Sequence, residues 1–210
     1  MNVRDPSFPA PSRHDRKIEL QRGGVLSLDA RAGLSDIVSV EAGMLAFSTL
    51  LADGRRLILS LATEGEALSS ACCAGCRIEA LSEATIVLRQ IDESADELAS
   101  IFADAHRRLI ASSERQTLLG RFTAAERAAA FLVELAERLG QAAPDGAVEA
   151  PLPLSRDDIA DYLGLKSETM SRMFTRFRKN GLIEFPTRDR CRILDLGALK
   201  AILPAVEPRN

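Results

Sequence analysis

No apolar run in this 210-residue chain approaches the roughly 20 residues that would span a bilayer. The first 17 residues hold three prolines and mixed charge and lack the apolar core of a secretory signal. They are expected to form a flexible segment, with no membrane partner and the cytoplasm as the expected compartment. The chain also lacks net positive charge: at −3 its bulk composition gives no hint of a polyanionic ligand. Histidine is limited to His14 and His106, which leaves little imidazole for metal binding or general-base chemistry. Cysteine is sparse, and three of the four, Cys72, Cys73 and Cys76, fall within five residues, with Cys191 far away. That spacing is poor for a disulfide framework in a reducing compartment, so the thiols read as small buried residues, reactive groups or metal ligands.

With 46% apolar and 27% charged residues, the composition is that of a soluble globular protein, long enough for one large domain or two small ones. From about Ile18 to Ile91 short apolar runs are punctuated by glycine, as in Gly24-Val-Leu-Ser-Leu, Asp36-Ile-Val-Ser-Val and Arg56-Leu-Ile-Leu-Ser-Leu. Asp53-Gly54 between Phe47–Leu51 and Leu57–Leu61 is a turn signal joining two strands. Several strands at this spacing predict a small β-sandwich or barrel over 18–93.

The texture then changes. Between Ser94 and Leu119 there is neither proline nor glycine, and Leu98, Phe102, Ala105, Leu109, Ser112, Gln116 and Leu119 recur alternately four and three residues apart. A seven-residue repeat keeps one seam facing a partner helix, so 94–120 is predicted to be a dimerisation helix. The alternative is an amphipathic helix packed on its own barrel. Gly120 is expected to end it. Thr123-Ala-Ala-Glu126 then reads as a capping box for a helix to about Leu139, and Gly140–Ala150 as a loop.

Residues 121–210 carry the most informative pattern. Ser155-Arg-Asp-Asp158 caps a short helix through Leu163, Gly164 supplies a turn, Ser167 is placed to cap a second helix, and Gly181 stops it. Two helices joined by a short glycine turn are a helix-turn-helix signature. On the second helix Met170, Phe174 and Phe177 share one face, expected inward, while Glu168, Ser171, Arg172, Thr175 and Lys179 share another. Arg172 can donate two bonds to guanine, Glu168 can accept from a cytosine amine, and Ser171 can bond or pack against a base. Lys166, Ser167, Thr169, Arg176 and Lys179 suit phosphates, which fix register without reading sequence. Lys166 to Arg192 holds eight basic residues against three acidic ones, an electropositive segment on an acidic chain. After Gly181, two short strands joined by Thr187–Arg190 make a wing, and Asp195 can cap a last helix through Ile202.

These features resemble the Crp/Fnr superfamily of bacterial regulators over nearly the whole chain after the first 17 residues. The most specific part is Leu154-Ser-Arg-Asp-Asp-Ile-Ala-Asp-Tyr-Leu-Gly-Leu165 followed by Glu168-Thr-Met-Ser-Arg172. The family's Fnr and FixK branch carries Glu-x-x-Ser-Arg there and reads a TTGAT-type half-site. The resemblance therefore implies an α+β fold: an N-terminal cyclic-nucleotide-binding-like β-barrel sensor, a long dimerisation helix and a C-terminal winged helix-turn-helix. It implies a homodimer on double-stranded DNA, acting as an activator with RNA polymerase as partner. Leu51-Ala-Asp-Gly-Arg-Arg56 resembles the sensor hairpin of that branch.

The departures matter too. The segment that holds cyclic AMP in nucleotide-binding members reads Gly65-Glu-Ala-Leu-Ser-Ser70 here, and Ala74 or Gly75 stands where the phosphate-binding arginine belongs. A buried phosphate without its arginine is costly, which argues against cyclic AMP and makes the barrel a degenerate sensor. No cysteine precedes Cys72, so the N-terminal iron–sulfur ligand cluster of oxygen-sensing members is absent, and neither histidine has a motif that suits haem. Cys72, Cys73 and Cys76 leave open an iron–sulfur cluster or other metal, thiol oxidation, or plain packing. Cys191 between Arg190 and Arg192 is expected to favour its thiolate. A thiol- or metal-dependent enzyme built on these cysteines would lack a general base, and an interaction module that no longer binds DNA sits poorly with intact Glu168, Ser171 and Arg172.

Overall fold

We describe the protein from a computed structural model covering residues 15–26, 36–69, 75–90 and 94–204. It divides into two compact units, Met1–Ser113 and Glu114–Asn210.

The first unit is a pair of four-stranded antiparallel sheets. One has the order β1 (Arg16–Leu20), β8 (Ala84–Gln90), β3 (Asp36–Ala42), β6 (Ala67–Ser69); the other is β2 (Val25–Leu26), β7 (Arg77–Ala80), β4 (Met44–Leu50), β5 (Arg56–Thr63). Val38, Val40, Leu45, Phe47, Ile78 and Ile86 fill the space between the sheets. Alternating apolar residues on paired strands leave them no other way to leave water. Of the expected flexible segment, residues 1–14 lie outside the described residues. The strand begins at Arg16, two residues earlier than the apolar pattern suggests, because Arg16 and Lys17 pair with Leu88 and Val87.

The turn at Asp53-Gly54 is present but differs in kind from a two-residue hairpin. Leu51 N donates to Arg55 O (2.8 Å), Gly54 N donates to Leu51 O (2.9 Å), and Gly54 has φ +84°. This is a three-residue loop whose last position is left-handed, the conformation glycine adopts without steric cost. Asp53 pairs with Arg55 across the loop at 2.7 Å, and the amide and guanidinium of Arg55 hold its carboxyl below the usual range.

Helix α1 spans Ala95–Arg121 and ends in the second unit. It continues one residue past Gly120, with Phe122 N still donating to Leu118 O (3.2 Å). Thr123 is what ends it: its extended backbone caps α2 (Ala124–Leu139) through a reciprocal box with Glu126. The second unit then adds α3 (Arg156–Leu163), α4 (Ser167–Lys179), α5 (Leu196–Ile202) and a four-stranded sheet in the order β11 (Ile183–Thr187), β12 (Arg190–Ile193), β10 (Val148–Pro151), β9 (Gln141–Ala142). The stretch read as a loop, Gly140–Ala150, thus contributes two strands. Pro144-Asp145-Gly146 supplies only their turn, and Ala147 and Ala150 are buried because β10 pairs with β12. Asp195 caps α5 by accepting from Ala198 N (2.8 Å).

Candidate nucleic-acid interface

The site begins with a well-made first helix. Ser155 Oγ accepts from Asp158 N (3.0 Å) while the Asp158 carboxylate accepts from Ser155 N (2.9 Å), closing both ends of the box. Gly164, at φ +60°, reverses the chain, and Leu165 N donates back to Ala160 O (2.9 Å). Chain reversal at a left-handed residue is what lets a second helix start almost at once.

That second helix, α4, starts differently from expectation. Lys166, not Ser167, is its N-cap and makes no side-chain capping bond. Ser167 is already helical, and its hydroxyl donates to the Asp157 carboxylate, tying α3 to α4. The helix stops as expected at Gly181: Gly181 N donates to Arg178 O (3.1 Å) and Leu182 N to Phe177 O (3.0 Å), which satisfies two terminal carbonyls.

Met170, Phe174 and Phe177 are buried. Glu168, Ser171, Arg172, Thr175, Arg176 and Lys179 are exposed, as is Lys166, and Thr169 is half-buried. Glu168 and Arg172 face each other at 3.9 Å with side chains 81% and 66% exposed, so both remain available to a partner. Thr175 turns its hydroxyl onto Ser171 O (2.9 Å), which occupies its donor. The structure therefore gathers Glu168, Ser171 and Arg172 on one open face, flanked by basic residues.

Arg156, half-buried on α3 beside α4, escaped the sequence reading. Its guanidinium carbon lies 4.4 Å from the centre of the Phe174 ring and 4.1 Å from that of Phe185, whose rings are 5.3 Å apart. Stacking fixes the group without using its N–H donors. Burial lowers its pKa from the ordinary arginine value. Nothing in the sequence marks it, because the two aromatics it joins are eleven residues apart, Phe174 on the inward face of the second helix and Phe185 in the wing.

The wing is less basic in effect than its sequence suggests. Arg188 and Arg190 are exposed, but Arg192 bonds to Asp145 and lies 3.6 Å from Glu149 and 3.5 Å from Glu184. Cys191 corrects its expectation outright: it is fully buried, and burial pushes its thiol up to about 12. Neighbours in a strand point to opposite faces, so Arg190 and Arg192 cannot favour its thiolate. The Arg156 charge favours the thiolate, and burial outweighs it.

In the first unit, Cys76 is half-buried against the barrel core, and burial raises its pKa as well. Cys72, Cys73 and His14 lie outside the described residues, and His106 is exposed. The Glu66 carboxylate accepts from Thr63 N (2.9 Å) and so closes a turn. On α1, Leu98, Phe102, Ala105, Leu109, Ser112 and Gln116 are all exposed, while Leu119 is half-buried. Among the described residues no helix is long and apolar enough to cross a membrane.

Comparison with known proteins agrees with this geometry. A Crp-like helix-turn-helix domain matches residues 126–202. The nitrogen fixation regulation protein FixK of Rhizobium meliloti is 34% identical over 181 residues, covering 83% of this chain and 82% of its own length. The transcriptional activator protein FnrA of Stutzerimonas stutzeri is 39% identical over 128 residues, 57% of this chain and 52% of that protein. Among solved structures, FixK2 from Bradyrhizobium japonicum superposes with a TM-score of 0.80 at 24% identity, covering 92% of this chain and 99% of that one. A likeness that runs through barrel, long helix and reading head alike has one meaning: the chain belongs to the Crp/Fnr family of transcription regulators, on its FixK branch.

Proposed function

We propose that the protein binds a palindromic TTGAT-like site as a homodimer and activates transcription there through contact with RNA polymerase. The observation that carries this reading is the open face of α4, where Glu168, Ser171 and Arg172 stand exposed over a buried Met170, Phe174 and Phe177. Arg172 reads a guanine, Glu168 a cytosine amine, and Ser171 a base edge or thymine methyl. Lys166, Thr169, Arg176 and Lys179 hold phosphates, joined by the stacked guanidinium of Arg156. Ser167 serves phosphate only if its bond to Asp157 is exchanged. The exposed Leu98, Phe102, Ala105, Leu109, Ser112 and Gln116 on α1 support the dimer, whereas Leu119 packs within its own chain. A gel shift on a palindromic TTGAT duplex against a scrambled one tests the reading; equal affinity for the two refutes it.

No cyclic AMP or haem is expected in the barrel. Cys76 favours a packed residue over a thiolate sensor, since burial raises its pKa. An iron–sulfur cluster or another metal at Cys72, Cys73 and Cys76 is tested by the absorbance spectrum and metal content of protein purified without oxygen; colour or bound metal overturns the packing reading, and a colourless, metal-free protein leaves thiol oxidation or packing.

A further inference from the structure

Two arginines join the end of α1 to the reading head, and neither lies on the DNA-reading face. Arg127, near the start of α2, donates from Nη2 to Leu119 O (2.6 Å) and from Nε to Phe122 O (3.0 Å). Its Nη1 donates to Leu163 O (3.1 Å) and Gly164 O (3.4 Å). Leu119 and Phe122 mark the end of α1, and Leu163 and Gly164 the end of α3, where helix carbonyls have no partner inside their own helix. One guanidinium thus caps two helices at their negative ends. Arg115, one turn before Leu119, donates to Tyr162 O and stacks 3.9 Å over the Tyr162 ring. Tyr162 in turn donates its hydroxyl to the Glu134 carboxylate (3.1 Å). The Leu119 side chain packs against Gly164, within 3.3 Å of where a Cβ would stand there.

From this arrangement we infer that Arg127 and Arg115 are positioning residues: by fixing the last turns of α1 on the first helix of the reader, they set the half-site spacing that the dimer accepts. The inference rests on the proposed DNA-binding dimer. Two reading helices must reach major grooves about one turn, roughly 34–36 Å, apart. One added base pair moves a half-site by about 3.4 Å along the duplex and turns it by about 34°. A stiff joint between the helix that carries the subunit contact and the helix that faces DNA refuses that displacement; a loose joint accepts it. Four carbonyls require the planar fork of arginine, which lysine cannot supply with the same charge.

The test uses the full chain with Arg127→Lys and Arg115→Gln, dimer mass and helical circular dichroism being checked first. Anisotropy is measured on a single half-site duplex and on palindromes whose central spacer is lengthened or shortened by one and two base pairs. The wild type should prefer one spacing by roughly 10²-fold, because only that geometry lets both heads engage. In the variants this preference should fall below about tenfold while half-site affinity stays within about threefold. An unchanged spacing profile in a folded, dimeric variant overturns the inference, and so does an equal loss on half-site and palindrome. If Arg127→Lys does not fold, Arg115→Gln decides alone, and if neither variant folds the joint serves folding and the inference fails. A wild type indifferent to palindromes refutes the DNA-binding reading itself, an outcome the variants do not influence.

Discussion

Replacing Phe102 with alanine should break the proposed dimer. In the single chain Phe102 is 75% exposed and Leu109 67%, while Leu98 and Ile110 are 41% and 42% exposed. A phenylalanine presents about 200 Å², so roughly 150 Å² of Phe102 is exposed in the single chain, about 3–4 kcal/mol if wholly removed from water. Association costs and the area alanine keeps reduce this by about half, to ~2 kcal/mol per subunit. Two-fold symmetry counts it twice, giving about 4 kcal/mol and a dissociation constant raised about 10³-fold. Ser112 and Gln116 continue the seam as polar groups and cannot compensate. Sedimentation equilibrium from nanomolar to tens of micromolar protein measures the effect, with Leu109→Glu as a second disruption placing like charges in the seam. A wild type monomeric at micromolar concentration, or a Phe102→Ala dimer as tight as wild type, refutes the assignment of this face.

Other predictions concern the reading head. Arg172→Ala should cost about 1–3 kcal/mol and relax preference at one base pair, with little rescue by lysine; equal loss on specific and random DNA contradicts base reading. Lys179→Ala should weaken all sequences alike and lower the salt slope by about one unit. Arg156→Ala should also lower the slope by about one unit, and an unchanged slope removes it from the interface. Cys191, with its thiol near 12 and no exposure, should resist alkylation at pH 8 until the protein unfolds; rapid labelling of the native state contradicts its burial. Because the fold raises this pKa, its contribution is complete below the free thiol's value near 8.5 and is lost as pH climbs toward 12. Cys191→Ala should remove that part of the slope in urea melts.

The reading head was legible in the sequence because its signals are local. Ser155 and Asp158, Gly164, and Gly181 each carry their own geometry in a few adjacent residues. What stayed hidden depends on distant partners. The pairing of β10 with β12 makes a strand of Val148–Pro151, although Pro144 and Gly146 advertise a loop. Burial of Cys191 follows from which face of β12 meets the core, which its flanking arginines do not reveal. Arg156 gains its place from Phe174 and Phe185 on other elements. Ser167 followed the capping statistics, yet Asp157, ten residues earlier, claimed its hydroxyl and left Lys166 at the helix start.

The ion pair between Glu168 and Arg172 has a bearing on how the protein finds its site. If α4 meets DNA as proposed, the Glu168 carboxylate, 3.9 Å from the guanidinium, repels on random DNA the phosphates that would otherwise hold Arg172. Non-specific residence is thereby shortened, and a genome offers on the order of 10⁶–10⁹ wrong sites on which to linger. Only a guanine for the arginine, with a cytosine amine for the glutamate, turns both charges to use together. On the proposed reading, the same two side chains that choose the operator also speed the search for it.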